Sequence, residues 1–204
     1  LAISCGMTVA ALVTGNTVVL KPAEQTPGIA KVLYDIISIA LHEIGAPADA
    51  IQFCPAPGET TGAALVRDPR ISVIAFTGSK AVGLDIIKAA GNTTEDQINV
   101  KRVISEMGGK NAIIVDASAD LDEAVLGVRY SAFGFQGQKC SACSRCIVVD
   151  PQGPDGPRMK LFLERLGEST KTLVLGAPDD PNSDVSPVID QEAANTINRF
   201  IDSA

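Results

Sequence analysis

Two residues of this chain, Cys140 and Glu106, could supply the nucleophile and the base for the oxidation of an aldehyde. Cys140 lies in the small and polar run 137–141, where a substrate could reach its thiol. Glu106 ends an apolar stretch and precedes Gly108 and Gly109, which leave room for a close backbone approach. A thiolate can attack an aldehyde and hold the product as a thioester, and a partly desolvated carboxylate can activate the water that releases the acid. The pair predicts a nucleophile and its base.

The same residue types also permit plainer interpretations. A free cysteine is most often a small buried side chain, and we expect this of Cys5 and Cys54. From the residues alone, Cys140 is only weakly favoured over Cys143 as a nucleophile, and Glu106 is more simply an exposed carboxylate at a strand end.

Metal binding is a further alternative. Cys140, Cys143 and Cys146 have the C-x2-C-x2-C spacing of a cluster-binding loop, but the fourth ligand would have to be Asp150, and a strand-like run follows Cys146. His42, the single histidine, lies in a helical pattern and cannot form a zinc site alone. We predict no metal site, and a cysteine-based redox or metal-binding module stays as the alternative from a different class.

A candidate phosphate-binding turn occupies positions 76–79. Phe76, Gly78 and Ser79 join a strand pattern to a helix pattern, and the first N–H groups of a helix can face a pyrophosphate. Gly83 lies one turn further on and permits close packing. The chain has no G-x-G-x-x-G run, and an ordinary strand-to-helix turn explains these residues about equally well.

Strand-like and helix-like stretches alternate along the first half of the chain. An apolar helix precedes a β-branched run that Pro22 ends, and apolar residues then recur at helical spacing from Pro27 to Gly45. Such alternation predicts an α/β fold with a parallel, doubly wound sheet. The polar stretch 92–97 is the one clear candidate boundary. The expected strands are 17–20, 51–54, 72–76, 100–107, 112–115 and 146–149, and the expected later helices are 59–66, 80–90, 120–130 and two beyond 157.

The composition indicates an acidic globular chain. Its 204 residues carry a net charge of −7 and are 46% hydrophobic, and Lys and Arg are scattered singly, which argues against nucleic acid as a partner. Polar residues interrupt the apolar opening, so we expect no membrane span. Five cysteines without a visible signal peptide favour a reducing compartment. The first residue is not methionine and a helical pattern runs to the last residues, which predicts an internal fragment.

Four landmarks stand in sequence order at residues 21–27, 76–79, 106–110 and 137–140. Together they resemble the aldehyde dehydrogenases over nearly the whole chain. The resemblance implies that family's α/β fold, with residues 1–107 forming part of a Rossmann-like NAD-binding domain and 108–204 the N-terminal part of the catalytic domain. The runs 136–145 and 187–191 and the segment before Glu106 are most similar to the 1-pyrroline-5-carboxylate dehydrogenases, which oxidise glutamate semialdehyde to glutamate in proline catabolism. The landmarks are Lys21-Pro22-Ala23-Glu24-Gln25-Thr26-Pro27, Phe76-Thr77-Gly78-Ser79, Glu106-Met107-Gly108-Gly109-Lys110 and Gly137-Gln138-Lys139-Cys140.

The resemblance implies catalytic roles. Cys140 would be the nucleophile, Glu106 the water-activating base and the Cys140 N–H one oxyanion donor; the family's second donor, an asparagine side chain, would precede this chain. Ser141 resembles a position that helps to anchor the substrate carboxylate. The fragment alone would be inactive, and the whole protein would be a homo-oligomer acting on a small aldehyde, in the cytoplasm or, if eukaryotic, the mitochondrial matrix.

The resemblance also implies how NAD would be held. Lys21 and Glu24 would bind the adenosine ribose hydroxyls, and the Glu24 carboxylate would repel a 2′-phosphate, which favours NAD over NADP. Gly58 and Gly62 would lie on the adenine side. The pyrophosphate would face Phe76, Gly78 and Ser79.

Overall fold

The computed structural model describes residues 1–203, and the chain divides into two compact units, Leu1–Met107 and Gly108–Ala204. The division falls between Glu106-Met107 and Gly108-Gly109, which places the predicted base in the first unit and the predicted nucleophile in the second. The assignment of these units to a cofactor domain and a catalytic domain stays a prediction.

The first unit alternates helices with short strands. Pro27 begins its longest helix at a position where a missing N–H costs nothing, and the Ser79 side chain caps another. The buried core includes Leu20, Ala30 and Ile51. In chain order the elements are α1 Ala2–Val13, β1 Val18–Leu20, α2 Pro27–Glu43, β2 Ile51–Phe53, a π-type turn Gly58–Gly62, α3 Ala63–Arg67, β3 Val73–Thr77, α4 Lys80–Ala90 and β4 Arg102–Glu106.

The strands of the first unit form two parallel pairs. β1 runs beside β2 and ends with Leu20 opposite Phe53, and β3 runs beside β4 and ends with Thr77 opposite Glu106. The predicted α/β class and parallel strand direction are confirmed. The described residues form separate two-stranded sheets, not one continuous sheet. The carboxyl ends of each pair lie together, which is where parallel sheets bind ligands.

The second unit packs two helices against a parallel strand pair around Phe162, which is 1% exposed, together with Val115, Val125 and Val128. Asp120 caps the first helix by accepting hydrogen bonds from the N–H groups of the next turn. The elements are β5 Asn111–Val115, α5 Leu121–Phe133, a 3₁₀ turn Gly134–Gly137, β6 Cys143–Val148, α6 Pro157–Lys171 and α7 Gln191–Asp202.

Two predicted elements differ from the structure. The expected helix 59–66 is a π-type turn followed by the short α3, because the Gly62 N–H donates back to the Pro57 carbonyl at 3.1 Å. β6 begins at Cys143, earlier than the expected 146, because Cys143 pairs with Asn111 of β5 ahead of a register shift between Asn111 and Ala112. The polar residues Ser144 and Arg145 gave no strand signal in the sequence. Both differences fall beside candidate site residues.

Candidate active site

Lys21, Glu24, Gly58 and Gly62, which are separated in sequence, come together at the carboxyl ends of β1 and β2. The Lys21 ammonium donates a 2.7 Å hydrogen bond to the Pro22 carbonyl and lies 3.7 Å from Glu24 Oε1. The Gly58 N–H donates to the same Glu24 oxygen. The parallel pairing of β1 with β2 causes this meeting, since it brings the two following loops to one edge.

The two glycines lie directly against these charged side chains. A Cβ on Gly58 would lie 3.1 Å from Glu24 Oε1, and one on Gly62 would lie 3.4 Å from Lys21 Cε. Small residues therefore let the backbone of 58–62 approach Lys21 and Glu24.

Glu24 is set up as a hydrogen-bond acceptor. The N–H of Gly58 holds the pKa of the Glu24 carboxyl below its ordinary value, with smaller contributions from its own backbone N–H and from Lys21. Its side chain is 48% exposed, so the ionised carboxylate can also accept hydrogen bonds from a ligand hydroxyl. A cation and a carboxylate side by side suit a sugar diol.

The turn 76–79 presents the N-terminus of α4 at the carboxyl end of β3. Ser79 Oγ accepts a 3.3 Å hydrogen bond from the Val82 N–H, which leaves the N–H groups of Lys80 and Ala81 without an acceptor among the described residues. The Phe76 ring covers Gly78, where a Cβ would lie 2.5 Å from the ring. Free N–H groups and a helix dipole favour an anion here.

Gly83 confirms the close packing predicted for it. This glycine is buried, and a Cβ there would lie 2.7 Å from Ser105 Oγ and 2.9 Å from Met107 Sδ. α4 therefore rests directly on β4 and on the residue that follows Glu106.

Glu106 ends β4 opposite Thr77, and its carbonyl accepts a 3.1 Å hydrogen bond from the Gly78 N–H. The side chain is exposed. The exposure of this side chain contradicts, within the described residues, the partial desolvation expected for its carboxylate.

Cys140 lies on a turn of the second unit. The Ala142 N–H donates a 3.0 Å hydrogen bond to the Lys139 carbonyl and closes the turn. Asn111 Nδ2 donates to the Cys140 carbonyl at 2.6 Å and lies 3.3 Å from the Ala142 carbonyl. Sequence reasoning missed Asn111; an amide side chain that follows Gly108-Gly109-Lys110 at the start of a strand was the available signal.

Three consecutive left-handed residues precede this turn. Phe135, Gln136 and Gly137 have φ values of 52°, 57° and 66°, and a Cβ at Gly137 would lie 2.9 Å from the Ala132 carbonyl. Side-chain-bearing residues in this region cost about 1–2 kcal/mol each, and such conformations concentrate at functional sites. The chain thus leaves α5 by a strained path that ends at Cys140.

Of the five cysteines, all within the described residues, Cys140 alone is exposed, and the others are partly buried. Cys5 and Cys54 are therefore less buried than expected. The Cys143 N–H donates to Ser131 Oγ at 3.2 Å, and burial, followed by the neighbouring Cys143, raises the pKa of the Cys146 thiol. Within residues 1–203, no three His, Cys, Asp or Glu side chains form a group that could hold a metal ion.

The remaining predicted positions are solvent-facing. Ser141 is exposed beside Cys140, and His42 is exposed in the last turn of α2. No helix within residues 1–203 has both the length and the apolar character needed to cross a bilayer.

The model of the aldehyde dehydrogenase family matches residues 1–204, and the chain belongs to that family. Among curated proteins it is similar to a 1-pyrroline-5-carboxylate dehydrogenase of Geobacillus thermodenitrificans, with 47% identity over 201 residues, 98% of this chain and 37% of the relative. The chain thus spans little more than a third of that relative's length.

Two solved structures are similarly close. A 1-pyrroline-5-carboxylate dehydrogenase from Thermus with bound NAD is 43% identical with a TM-score of 0.87, and the match covers 98% of this chain and 37% of that one. Proline utilization A from Bdellovibrio bacteriovorus is 47% identical with a TM-score of 0.88, over 97% of this chain and 20% of that one.

Proposed function

We propose that this chain is the central part of an NAD-dependent dehydrogenase that oxidises L-glutamate γ-semialdehyde, formed from 1-pyrroline-5-carboxylate, to glutamate. The observation that carries the proposal is that Cys140 is the exposed thiol of the chain, on a turn whose carbonyls are held by Asn111. The names of the relatives in Geobacillus and Thermus support the substrate.

In the proposed reaction, the Cys140 thiolate adds to the aldehyde carbon and forms an S–C bond. The Cys140 N–H donates to the oxyanion. Bound NAD would supply the two-electron acceptor for the hydride that leaves the same carbon. Glu106 then takes a proton from water, the water oxygen attacks the thioester, and the S–C bond breaks to release the acid and regenerate the thiolate. Ser141, exposed beside the nucleophile, would help to anchor the substrate carboxylate.

The first unit has groups that suit the binding of NAD. Lys21 and Glu24 would hold the ribose hydroxyls, with Gly58 and Gly62 on the adenine side. The turn of Phe76, Gly78 and Ser79 would face the pyrophosphate. The half-exposed carboxylate and the free N–H groups at the start of α4 support this assignment.

On this proposal, residues 1–107 belong to the cofactor domain and 108–204 to the catalytic domain. The relatives and solved structures named above come from bacteria, which supports a cytoplasmic location rather than the mitochondrial matrix. A homo-oligomeric whole protein is part of the same proposal.

A substrate panel tests the function. The protein that contains this chain is assayed for NADH formation with glutamate semialdehyde, succinate semialdehyde and aliphatic aldehydes, with Cys140→Ala as the inactive control. We expect the highest kcat/KM for glutamate semialdehyde. Higher kcat/KM for an aliphatic aldehyde would indicate a family member with another substrate, and stoichiometric iron or zinc without turnover would favour the cysteine-based alternative.

A further inference from the structure

Asn111 is the first residue of β5 and touches the turn of the nucleophile. Its Nδ2 lies 2.6 Å from the Cys140 carbonyl oxygen and 3.3 Å from that of Ala142. The shift in strand pairing occurs immediately after Asn111, which lies opposite Cys143 before Ala112 pairs with Arg145. One amide thus contacts two carbonyls of the Cys140 turn at the point where that turn joins the sheet.

These contacts determine where the N–H groups of the turn point. The Lys139 carbonyl accepts from Ala142, and the Cys140 carbonyl accepts from Asn111. The N–H and C=O of a trans peptide point in opposite directions, and the described residues contain no cis peptide. The N–H groups of Cys140 and Ser141 therefore point away from these two acceptors, and neither donates a hydrogen bond within the described chain.

Gly109 is what lets Asn111 and Cys140 meet. A Cβ at this position would lie 3.3 Å from both amide atoms of Asn111 and 3.3 Å from the Cys140 carbonyl oxygen. That spacing is tighter than most contacts of a real Cβ, so a side chain here would push the two groups apart. Gly108, by contrast, has nothing within 4 Å of such an atom. The second glycine therefore serves the contact between Asn111 and Cys140.

We propose that Asn111 is a positioning residue for Cys140, an inference that rests on the proposed function of this thiol. By holding the Cys140 carbonyl, Asn111 fixes the peptide plane that follows the nucleophile and carries the Ser141 N–H. It thereby holds Cys140 in the backbone conformation in which the residue's own N–H is free to donate to the oxyanion. Loss of the amide donor should slow formation of the thioester without weakening substrate binding.

The test uses Asn111→Asp, which keeps the side chain's shape and removes the donor. Asn195→Asp is the matched control, since it adds the same charge at an exposed site on α7. Two burst rate constants are measured. The first is that of NADH formation with glutamate semialdehyde as substrate, and the second is that of p-nitrophenolate release from p-nitrophenyl acetate in the absence of NAD. Rates are measured across a range of pH and compared on the plateau of each variant's own pH profile, so that the comparison does not depend on a single pH.

We expect Asn111→Asp to lower both burst rate constants about tenfold while the half-saturating substrate concentration changes less than about twofold. Asn195→Asp should match the wild type. Asn111→Ser, which keeps one hydrogen-bond donor, should have burst rate constants between those of Asn111→Asp and the wild type. If Asn111→Asp does not fold, the Ser variant replaces it in the comparison.

Burst rates within twofold of wild type in a folded Asn111 variant would overturn the inference. So would losses that merely follow the fall in melting temperature. The proposed function fails separately: if the wild type makes no NADH from any aldehyde but its nitrophenolate burst depends on Asn111, the positioning role stands and the oxidation does not.

Discussion

The backbone N–H of Gly78 donates a 3.1 Å hydrogen bond to the carbonyl oxygen of Glu106. This bond joins the end of β4 to the turn that enters α4, so the proposed base and the proposed pyrophosphate site share one sheet edge. The Glu106 backbone is held in place while its carboxylate remains exposed. A carboxylate held in this way can meet water beside the proposed pyrophosphate site without contributing to the packing of the unit.

Packing of α4 on β4 predicts a stability difference between two glycines. Gly83→Ala should destabilise the chain by about 1–3 kcal/mol, because its Cβ would lie within 3 Å of Ser105 and Met107. Gly127→Ala, on α5 with open space around it, should stabilise by about 0.5–1 kcal/mol. Urea unfolding of both variants measures this, and equal effects of one sign would contradict the packing described.

The charge of Glu24 should determine the preference for NAD over NADP. In Glu24→Gln the side chain keeps its shape and loses its charge, so repulsion of a 2′-phosphate disappears and the acceptor for ribose hydroxyls weakens. We expect weaker NAD binding and a ratio of NADP to NAD affinity that rises about tenfold or more. Fluorescence titration with both cofactors measures it, with Glu43→Gln, exposed at the end of α2, as the charge-matched control. An unchanged ratio would remove Glu24 from the cofactor site.

The Asp150 carboxylate should account for part of the loss of stability of the second unit in acid. It accepts hydrogen bonds from the N–H groups of Gln152 at 2.9 Å and Met159 at 3.0 Å, and the first of these contributes most to a pKa below its ordinary value of 3.8. A lowered pKa in the folded state means that the stabilisation is present above 3.8 and is lost as the pH falls through the folded-state value.

Asp150→Asn should therefore be less stable than the wild type near neutrality, and the difference should shrink below pH 3.8. Urea midpoints between neutral and strongly acidic pH measure this. Asp155→Asn, exposed in the same loop, is the control. A difference that does not depend on pH would show that the Asp150 carboxylate is not linked to folding.

Thiol chemistry should separate Cys140 from the other cysteines. Cys140 is exposed, whereas the Cys146 thiol is partly buried and its pKa is raised. Iodoacetamide near neutral pH should alkylate Cys140 at least about tenfold faster than Cys146, because the thiolate is the reacting species. Peptide mapping by mass spectrometry measures both rates, with Cys140→Ser to identify the fast site. Equal rates would leave Cys140 without the expected accessibility.

Local signals in the sequence predicted much of the fold. Proline at the start of α2 and the Ser79 cap marked helix beginnings, and the alternation of elements predicted parallel strands. Lys21, Glu24 and Gly58 were predicted as site residues from separate stretches of the sequence. The pairing of β1 with β2 brings these stretches together.

Other features depend on contacts that no local pattern carries. Asn111 holds a turn far along the chain, and the left-handed conformations of Phe135 and Gln136 oppose the preferences of those residue types. The partial desolvation expected of Glu106 is contradicted by its exposure, because exposure is set by which elements pack over a strand end and no local pattern records that.

The most direct test of the central claim is a single-turnover experiment with Glu106→Gln in the protein that contains this chain. The variant is mixed with excess NAD and glutamate semialdehyde, and both NADH and the mass of the Cys140 peptide are followed. We predict about one NADH per active site, then a stall, with a glutamyl thioester on Cys140. Continued turnover at the wild-type rate, or NADH formation with no adduct on Cys140, would contradict the account.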